Sequence, residues 1–246
     1  MNRLVYKDTF MGQPNVKLTK NFFEKMAWAD EHFVCGIDEV GRGCLAGPLV
    51  VCAAIVPINT TYRLLKDSKI LTEAQRNEAF EWITQHGIWA IGCASPQVID
   101  TINIYQATLF AMKKAYLHLI TKLPFPHEKL RFVLVDAMPL KLDPETTHQA
   151  LEIHHFNYGE KYSSSIAAAS IVAKVTRDRL MERIHHSFPA FGFNQHKGYA
   201  TKQHIEAVHV HGPSLIHRKS FLTNLLAPKD SEAAGQTTLF DENQAL

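Results

Sequence analysis

Apolar runs separated by short polar segments predict the strands of a sheet. The segments FVCGIDEV (33–40) and LVVCAAIV (49–56) are largely apolar, and the linker GRGCLAGP between them carries three glycines and one proline. Such a linker is typical of a tight, irregular connection between two strands. Further strands are predicted by IWAIGCAS (88–95), RFVLVD (131–136) and EIHHF (152–156).

Polar capping residues and alanine-rich or periodic segments predict the helices. Thr72 followed by Gln75 is a capping-box pattern. We expect Thr19 to cap the first helix, a break near Asn103 in the longest one, and Gly212-Pro213 to close the last one. The predicted helices cover residues 19–29, 72–86, 95–122, 163–186 and 201–210.

Strands that come first, then alternate with helices, and end in helices predict an α/β fold. We expect a layered domain whose mixed sheet is flanked by helices. The 46% hydrophobic content suffices for a sizeable core. The predicted organisation is a leader with one short helix (1–31), a main domain (32–227) and a polar, acidic, disordered tail (228–246).

Neither export nor a membrane anchor is indicated by the apolar segments. The longest of them, 49–58, is shorter than the ~20 residues that a membrane-spanning helix needs. The first residues lack the apolar segment and cleavage site of a secretory signal, so we expect a cytoplasmic protein. Four cysteines without a CxxC pair are then expected to be reduced, mostly buried thiols, and no Cys/His spacing favours structural zinc.

Positive charge is concentrated in the C-terminal third of the chain. The formal net charge is only +2, but residues 161–219 contain nine Lys or Arg against three Asp or Glu. This third could face the phosphates of a nucleic acid. A solvated basic surface is an equally good interpretation of the charge alone.

Four acids stand beside apolar segments, where a charge is costly unless it has a task. Asp38 and Glu39 lie in the first strand pattern, Asp136 ends another, and Glu160 precedes the alanine-rich helix. Neighbouring strand side chains point to opposite faces, so Asp38 and Glu39 could share a site only where the strand ends or bulges. Converging carboxylates suit Mg²⁺ or Mn²⁺ and hydrolysis of a phosphodiester. The alternative is a set of separate surface charges.

A glycine-rich segment follows the first acids and could recognise a sugar. Gly41 and Gly43 allow close approach of the backbone to a ligand, and Arg42 could hold a phosphate. Paired backbone donors and acceptors can read a ribose 2′-OH and so separate RNA from DNA. Tyr199 could stack on a sugar or base. The alternatives are a turn chosen for its geometry and a packing tyrosine.

Six blocks in order resemble the bacterial ribonuclease HII family: GIDEVGRGCLAGPLVVCAAIV, DSKILTEAQR, NIYQATLFAM, VLVDAM, SIAAASIVAKVTRDRLM and HKGYATKQH…HGPSLIHRKSF. The resemblance covers about residues 35–222. It implies a ribonuclease H-like core with a C-terminal helical extension. It also implies a monomeric endonuclease that cuts the RNA strand of RNA–DNA hybrids and nicks 5′ of ribonucleotides in DNA. Two Mg²⁺ or Mn²⁺ ions would assist, leaving 3′-OH and 5′-phosphate ends during primer removal and ribonucleotide repair.

The same resemblance implies roles for individual residues. The four catalytic and metal-binding acids would be Asp38, Glu39, Asp136 and Glu160. Glu160 stands where the family usually has an aspartate, after a longer spacer. The residues implied in substrate binding are Gly41, Arg42, Gly43, Lys69, Lys174, Arg177 and Tyr199, of which Lys69, Lys174 and Arg177 would be phosphate or structural partners. Asp178 is expected to form a salt bridge within its helix.

The tail and the overall function each leave alternatives open. Gln236, Leu239 and Phe240 resemble the QxxLF peptides that dock on a sliding clamp, although a chance match is the alternative. Type HIII enzymes carry a longer segment before the core, which favours type HII. The rival functions are another ribonuclease H-like nuclease, such as a resolvase or exonuclease, and a catalytically silent hybrid-binding protein.

Overall fold

A computed structural model describes residues 5–7 and 19–226, and a six-stranded mixed sheet forms its centre. Strand order across the sheet is β1-β6-β5-β2-β3-β4, with β3 antiparallel to both β2 and β4 and the remaining pairs parallel. The five strands predicted from apolar runs are confirmed. The strands are β1 (Val5–Lys7), β2 (Phe33–Val40), β3 (Leu49–Ile55), β4 (Ile88–Ala94), β5 (Leu130–Asp136) and β6 (Glu152–Phe156).

Eight α-helices accompany the sheet in this part of the chain. The predicted capping box of Thr72 and Gln75 and the predicted helix end at Gly212 are confirmed, and Ser95 and Thr201 cap the helices that follow them. Asn103 breaks its helix as predicted, with φ 64° and ψ 166°. The helices are α1 (Phe22–Ala29), α2 (Glu73–His86), α3 (Pro96–Ile120), α4 (Gly159–Tyr162), α5 (Ser164–Ser187), α6 (Phe193–His196), α7 (Lys202–His211) and α8 (Lys219–Leu226). None of these described helices combines the length and apolar character needed to cross a membrane.

The prediction that Thr19 caps the first helix is wrong. Helix α1 begins only at Phe22, after Asn21 in a left-handed conformation with φ 62°. The Asn21 side chain does not cap its own helix, because its Oδ1 accepts a hydrogen bond from the Ser164 N–H at 2.9 Å. Local sequence could not show this, since the partner lies 143 residues further along the chain.

Helices cover both faces of the sheet and bury its apolar side chains. On one face α3 packs on a cluster that includes Ile37, Leu49 and Val133. On the other face α5 lies across β2 and β3. Gly36 allows this contact, because a Cβ there would lie 2.1 Å from the Ser165 carbonyl carbon. The backbone of α5 therefore lies directly against the middle of β2, just before the predicted acids.

The long spacer between Asp136 and Glu160 is packed rather than loose. Its buried side chains Met138, Leu140, Leu142 and Leu151 extend the core on the α3 face. The Tyr116 hydroxyl donates to the Thr146 carbonyl at 3.1 Å and fastens the spacer to α3. Burial of four apolar side chains gives this added segment a structural role.

The predicted domain division stays a prediction, although α1 clearly packs on the sheet. Phe23 and Ala27 join Phe132 and Leu134 in one buried cluster. The tail 228–246, including Gln236, Leu239 and Phe240, lies outside the described residues. All four cysteines are free, and Cys35, Cys44 and Cys52 are buried, as expected for reduced thiols.

A chain of buried histidines connects the C-terminal helices. Nδ1 of His217 accepts from the Ser214 N–H at 3.0 Å, so its Nε2–H donates to Nε2 of His204 at 3.0 Å. Nδ1–H of His204 then donates to the Tyr199 carbonyl at 2.8 Å. This order of donors requires both rings to be neutral. Burial lowers the pKa of both rings, that of His217 to about 4.

Acid should destabilise the protein through this histidine chain. The folded-state pKa of His217 lies below the ordinary 6.5, so its contribution is full above that value and is lost as pH falls towards about 4. Between about pH 7 and about pH 5 we expect wild type to lose roughly 2 kcal/mol more unfolding free energy than His217→Gln. Urea unfolding at both pH values measures this, with exposed His209→Gln as the control that keeps the wild-type difference. Equal losses in wild type and His217→Gln would contradict the prediction.

Candidate active site at the ends of strands β2 and β5

Asp38 and Asp136 are brought side by side by parallel pairing of two central strands. The paired residues Ile37 and Val135 immediately precede them. Strand alternation places Ile37 and Val135 in the α3-side core, so both aspartates point to the α5 side. Asp38 is only 7% exposed, and its Oδ1 accepts from the Glu39 N–H at 2.7 Å.

Glu39 occupies the opposite face of β2 from Asp38. Pairing of β2 with β5 ends at Ile37, but β2 stays paired with β3 as far as Val40, without a bulge at the acids. At the acids, β2 has therefore ended on the side that faces β5 but continues on the side that faces β3. One oxygen of Glu39, Oε1, lies 3.4 Å from Arg42 Nη1, while its buried Oε2 has no hydrogen-bond partner. Arg42, expected to hold a phosphate, is paired with Glu39 here.

Glu160 approaches the pair through the short helix α4. The Gly159 N–H donates to Asp136 Oδ1 at 2.8 Å, and a Cβ on Gly159 would lie 3.2 Å from that oxygen. This hydrogen bond fixes the start of α4 against the end of β5. Glu160 follows directly, is 6% exposed, and feels the negative charge of Asp136.

Burial raises the pKa of all four predicted acids. For Asp38 burial is the largest cause, and the charges of Glu39 and Asp136 raise the pKa further. The pKa of Glu39 is raised to about 7, again mainly by burial, although Arg42 opposes the shift. Burial likewise raises the pKa of Asp136 and of Glu160. Negative charge is costly at this place, and a bound cation would offset that cost.

The donor set fits hard divalent cations. It consists of carboxylate oxygens, the ligands that Mg²⁺ and Mn²⁺ prefer, and it includes the unpartnered Oε2 of Glu39. Within residues 5–7 and 19–226, however, no three His, Cys, Asp or Glu side chains are arranged so that they could hold an ion as they stand. One reason is that Glu39 lies on the other face of β2 from Asp38.

Three polar residues that were not predicted from the sequence also belong to the site: Asp67, Ser68 and Ser170. The charge of Asp67 acts on both Asp136 and Glu160, as does the opposing charge of Lys69. Ser170 of α5 bonds to the Asp38 side chain and lies 2.9 Å from the Ser68 hydroxyl. The DSK block was the available signal, because Asp67, Ser68 and Lys69 occupy one turn.

The two glycines of the GRG loop have different surroundings. Gly41 has φ 92° and is buried, and a Cβ would lie 2.3 Å from Arg177 Nε. Gly43 is exposed, and a Cβ there would meet nothing within 4 Å. Among the described residues, neither the N–H nor the C=O of Gly43 has a hydrogen-bond partner. Gly41 is thus required by the fold, whereas Gly43 presents its peptide groups outward.

Two fully buried arginines, Arg177 and Arg218, hold this loop from its buried side through hydrogen bonds to backbone carbonyls. Arg218 donates to the carbonyls of Gly41, Arg42 and Gly47 at 2.6 to 3.1 Å. Arg177 donates to the carbonyls of Pro48, Lys197 and Ala46. Of the two roles expected for Arg177, phosphate partner or structural partner, the enclosed guanidinium favours the structural one, and its part in substrate binding stays a prediction. The role of Arg218 was missed, since its partners lie more than 170 residues away.

Tyr199 lies beside the loop with its ring 40% exposed. Its hydroxyl interacts with Cys44, the residue after GRG. Lys174 Nζ lies 5.9 Å from the ring centroid, and Arg177 Cζ lies 5.8 Å from it. Lys174 also forms the predicted helical salt bridge with Asp178 at 2.9 Å. An exposed aromatic face is therefore available next to the glycine loop.

The chain is similar in sequence to known ribonucleases over most of its length. The family model for ribonuclease HII matches residues 35–224. Ribonuclease HII of Bacillus mycoides is 48% identical over 190 residues, 77% of this chain and 68% of the relative. Ribonuclease HII of Bacillus cereus strain G9842 is 42% identical over 228 residues, 90% and 83% of the two chains.

Solved structures share the architecture. The RNase HII of the PCNA:RNase HII complex from Archaeoglobus fulgidus has a TM-score of 0.57 at 28% identity, covering 76% of this chain and 94% of that one. The ribonuclease H2 of Pyrococcus horikoshii has a TM-score of 0.61 at 24% identity, covering 78% and 96%, and shows the same fold. The predicted ribonuclease H-like mixed sheet with a helical C-terminal region is confirmed. The chain belongs to the ribonuclease HII family.

Proposed function

We propose that this ribonuclease H cuts the RNA strand of RNA–DNA hybrids and also nicks duplex DNA 5′ of an embedded ribonucleotide. The observation that carries the proposal is the neighbouring pair of a buried Asp38 and a half-buried Asp136, beside a loop whose Gly43 offers free peptide groups. Cleavage would leave 3′-OH and 5′-phosphate ends. Removal of RNA primers and of misincorporated ribonucleotides in the cytoplasm is the role that such an activity would serve.

Recognition of ribose would be the task of the loop. The unpartnered N–H of Gly43 can donate to a 2′-OH, and its C=O can accept from the same hydroxyl, which is both donor and acceptor. The exposed ring of Tyr199 can pack against the neighbouring sugar. Arg42 is only partly buried and could exchange Glu39 for a phosphate. A deoxyribose would leave the Gly43 groups unpaired, which disfavours all-DNA substrates.

Two divalent ions, Mg²⁺ or Mn²⁺, are proposed to be held by Asp38, Glu39, Asp136 and Glu160. When bound, they would supply Lewis-acid activation of water and neutralise charge on the phosphate. Asp38 and Asp136 would orient the reacting groups, since their backbones are fixed by strand pairing. Lys69, exposed and close enough to influence Asp136 and Glu160, is placed to attract the scissile phosphate.

Carboxylate substitutions test the catalytic proposal. We expect Asp38→Asn and Asp136→Asn to lower cleavage of a single-ribonucleotide duplex by about a thousandfold or more, because several kcal/mol of charge stabilisation would be lost. Hybrid binding should largely persist, since phosphate contacts carry affinity. End-labelled single-ribonucleotide, hybrid and all-DNA duplexes with Mg²⁺, Mn²⁺ or EDTA provide the measurement.

The matched control is Asp143→Asn, whose exposed carboxylate lies 3.2 Å from Lys113 Nζ. It should cut like wild type. Equal cutting of all-DNA would favour another nuclease type, and binding without EDTA-sensitive cleavage would favour a silent hybrid-binding protein. Parallel loss of binding and cleavage in the Asp38 variant would contradict the assigned role.

Substitution of the two loop glycines separates recognition from folding. Gly43→Ala adds a methyl group in open space, so we expect wild-type thermal stability but roughly a tenfold or larger loss of kcat/KM on the single-ribonucleotide duplex. Gly41→Ala is expected to destabilise the fold by roughly 2 kcal/mol through its positive φ and contact with Arg177. Thermal unfolding and kinetics check both. An unaltered kcat/KM for Gly43→Ala would exclude that residue from ribose recognition.

The C-terminal tail is proposed to dock on a sliding clamp through Gln236, Leu239 and Phe240. The Archaeoglobus relative was solved as a complex with PCNA, which supports a protein partner of this kind. Removal of residues 229–246 should abolish capture by the clamp of the source organism while leaving hybrid cleavage unchanged. A pull-down with the truncated chain and with Phe240→Ala measures this. Undiminished capture by either variant would refute the proposal.

A further inference from the structure

A short segment at the start of α1, residues 20–24, is bonded to the turn that carries Glu160. Lys20 Nζ donates to the Glu160 carbonyl at 2.9 Å, and the Asn21 N–H donates to the Tyr162 carbonyl at 2.7 Å. Asn21 Oδ1 accepts from the Ser164 N–H at 2.9 Å. The same segment therefore holds the chain from the Glu160 carbonyl to the start of α5.

Glu24 completes these contacts from inside the protein. Its side chain is fully buried, and its Oε1 accepts from the Ser163 hydroxyl at 2.5 Å and from the Ser165 N–H at 3.2 Å. Ser163 in turn caps α5, with its hydroxyl accepting from the Ile166 N–H at 3.0 Å. Burying a carboxylate is unfavourable, so its use at the start of α5 indicates that this part of the backbone must be placed accurately.

Lys20 is exposed, but its ammonium group has two backbone partners. Its Nζ lies between the carbonyls of Glu160 and Leu65, at 2.9 and 3.4 Å. Leu65 lies two residues before Asp67, whose charge acts on the candidate acids. Lys20 thus ties the Glu160 turn to the DSK turn on the other side of the site.

Glu160 depends on this support more than the strand acids do. Asp38 is paired with Cys52 of β3, and Asp136 is paired with Phe156 of β6. Glu160 lies instead on α4, a helix of four residues that follows Tyr158 in a left-handed conformation. So short a helix does not hold its own position. A glutamate side chain also has one more rotatable bond than aspartate, so the place of its carboxylate depends on the backbone beneath it.

We propose that residues Lys20 to Glu24 position the Glu160 carboxylate for binding of the divalent ion, with Lys20 and Glu24 as positioning residues. The segment precedes residues 35–224, which the family model matches. The inference rests on the proposed role of Glu160, and it assigns a task in catalysis to α1.

The test compares Lys20→Met and Glu24→Ala with wild type in Mn²⁺ titrations of hybrid cleavage and in direct Mn²⁺ binding followed by electron paramagnetic resonance. We expect each variant to need roughly 10-fold more Mn²⁺, as is usual when groups supporting a metal ligand are removed. Cleavage at saturating Mn²⁺ and hybrid affinity should stay close to wild type. Glu24→Gln, which keeps Oε1 as an acceptor, should restore most of the Mn²⁺ affinity.

Trp28→Ala is the matched control for stability alone. Trp28 lies at the other end of α1 and is buried in a different cluster, so its loss should lower the unfolding temperature without altering the Mn²⁺ requirement. An equal rise in Mn²⁺ requirement for Trp28→Ala would show that any loosening of α1 suffices and would overturn the inference.

Glu160→Gln separates the two levels of the proposal. If Glu160→Gln raises the Mn²⁺ requirement but Lys20→Met and Glu24→Ala do not, the positioning inference is wrong and the role of Glu160 stands. If Glu160→Gln leaves both Mn²⁺ binding and cleavage unchanged, the role of Glu160 is wrong and the inference falls with it.

Discussion

Parallel pairing of β2 with β5 forces two carboxylates into neighbouring positions in a poorly hydrated place. Ile37 and Val135 are partners in the register, and Asp38 and Asp136 follow them directly while each stays paired to its outer neighbour, β3 or β6. Their mutual repulsion and their burial are built into the most protected part of the fold. A site with these properties attracts cations, because a bound positive charge reduces both the repulsion between the carboxylates and the cost of burying their charge.

The other groups of the site, Glu39, Glu160 and the glycine loop, are positioned by less regular parts of the chain. Glu39 comes from the opposite face of β2, Glu160 from a four-residue helix, and the glycine loop from a turn tied down by buried guanidinium groups. Arg177 and Arg218 have no carboxylate within ion-pair distance in the described residues. Their uncompensated charge lies beneath the loop, where a nucleic acid backbone would add negative charge.

Local sequence patterns predicted most of the fold and the centre of the site. Asp136 was recognisable because it ends an apolar strand, and the GRG block because glycines follow a strand that carries acids. Alternation predicted opposite faces for Asp38 and Glu39 in a regular strand, but whether β2 ends or bulges there was not predictable, since β2 loses β5 after Ile37 and keeps β3 to Val40. The roles of Arg218 and of residues 20–24 depend on contacts across more than 130 residues, and no local pattern records such distances.

The loop that would sense ribose is closed by a residue near the opposite end of the chain. Arg218 donates to the Gly41 carbonyl, 177 positions earlier in the chain. The same guanidinium also donates to the Arg42 carbonyl. Contacts of such separation form late, because the intervening chain must be ordered first. During synthesis the acids would therefore exist long before the loop acquires its shape. Any discrimination between ribose and deoxyribose that depends on the shape of this loop would appear only after Arg218 has been synthesised.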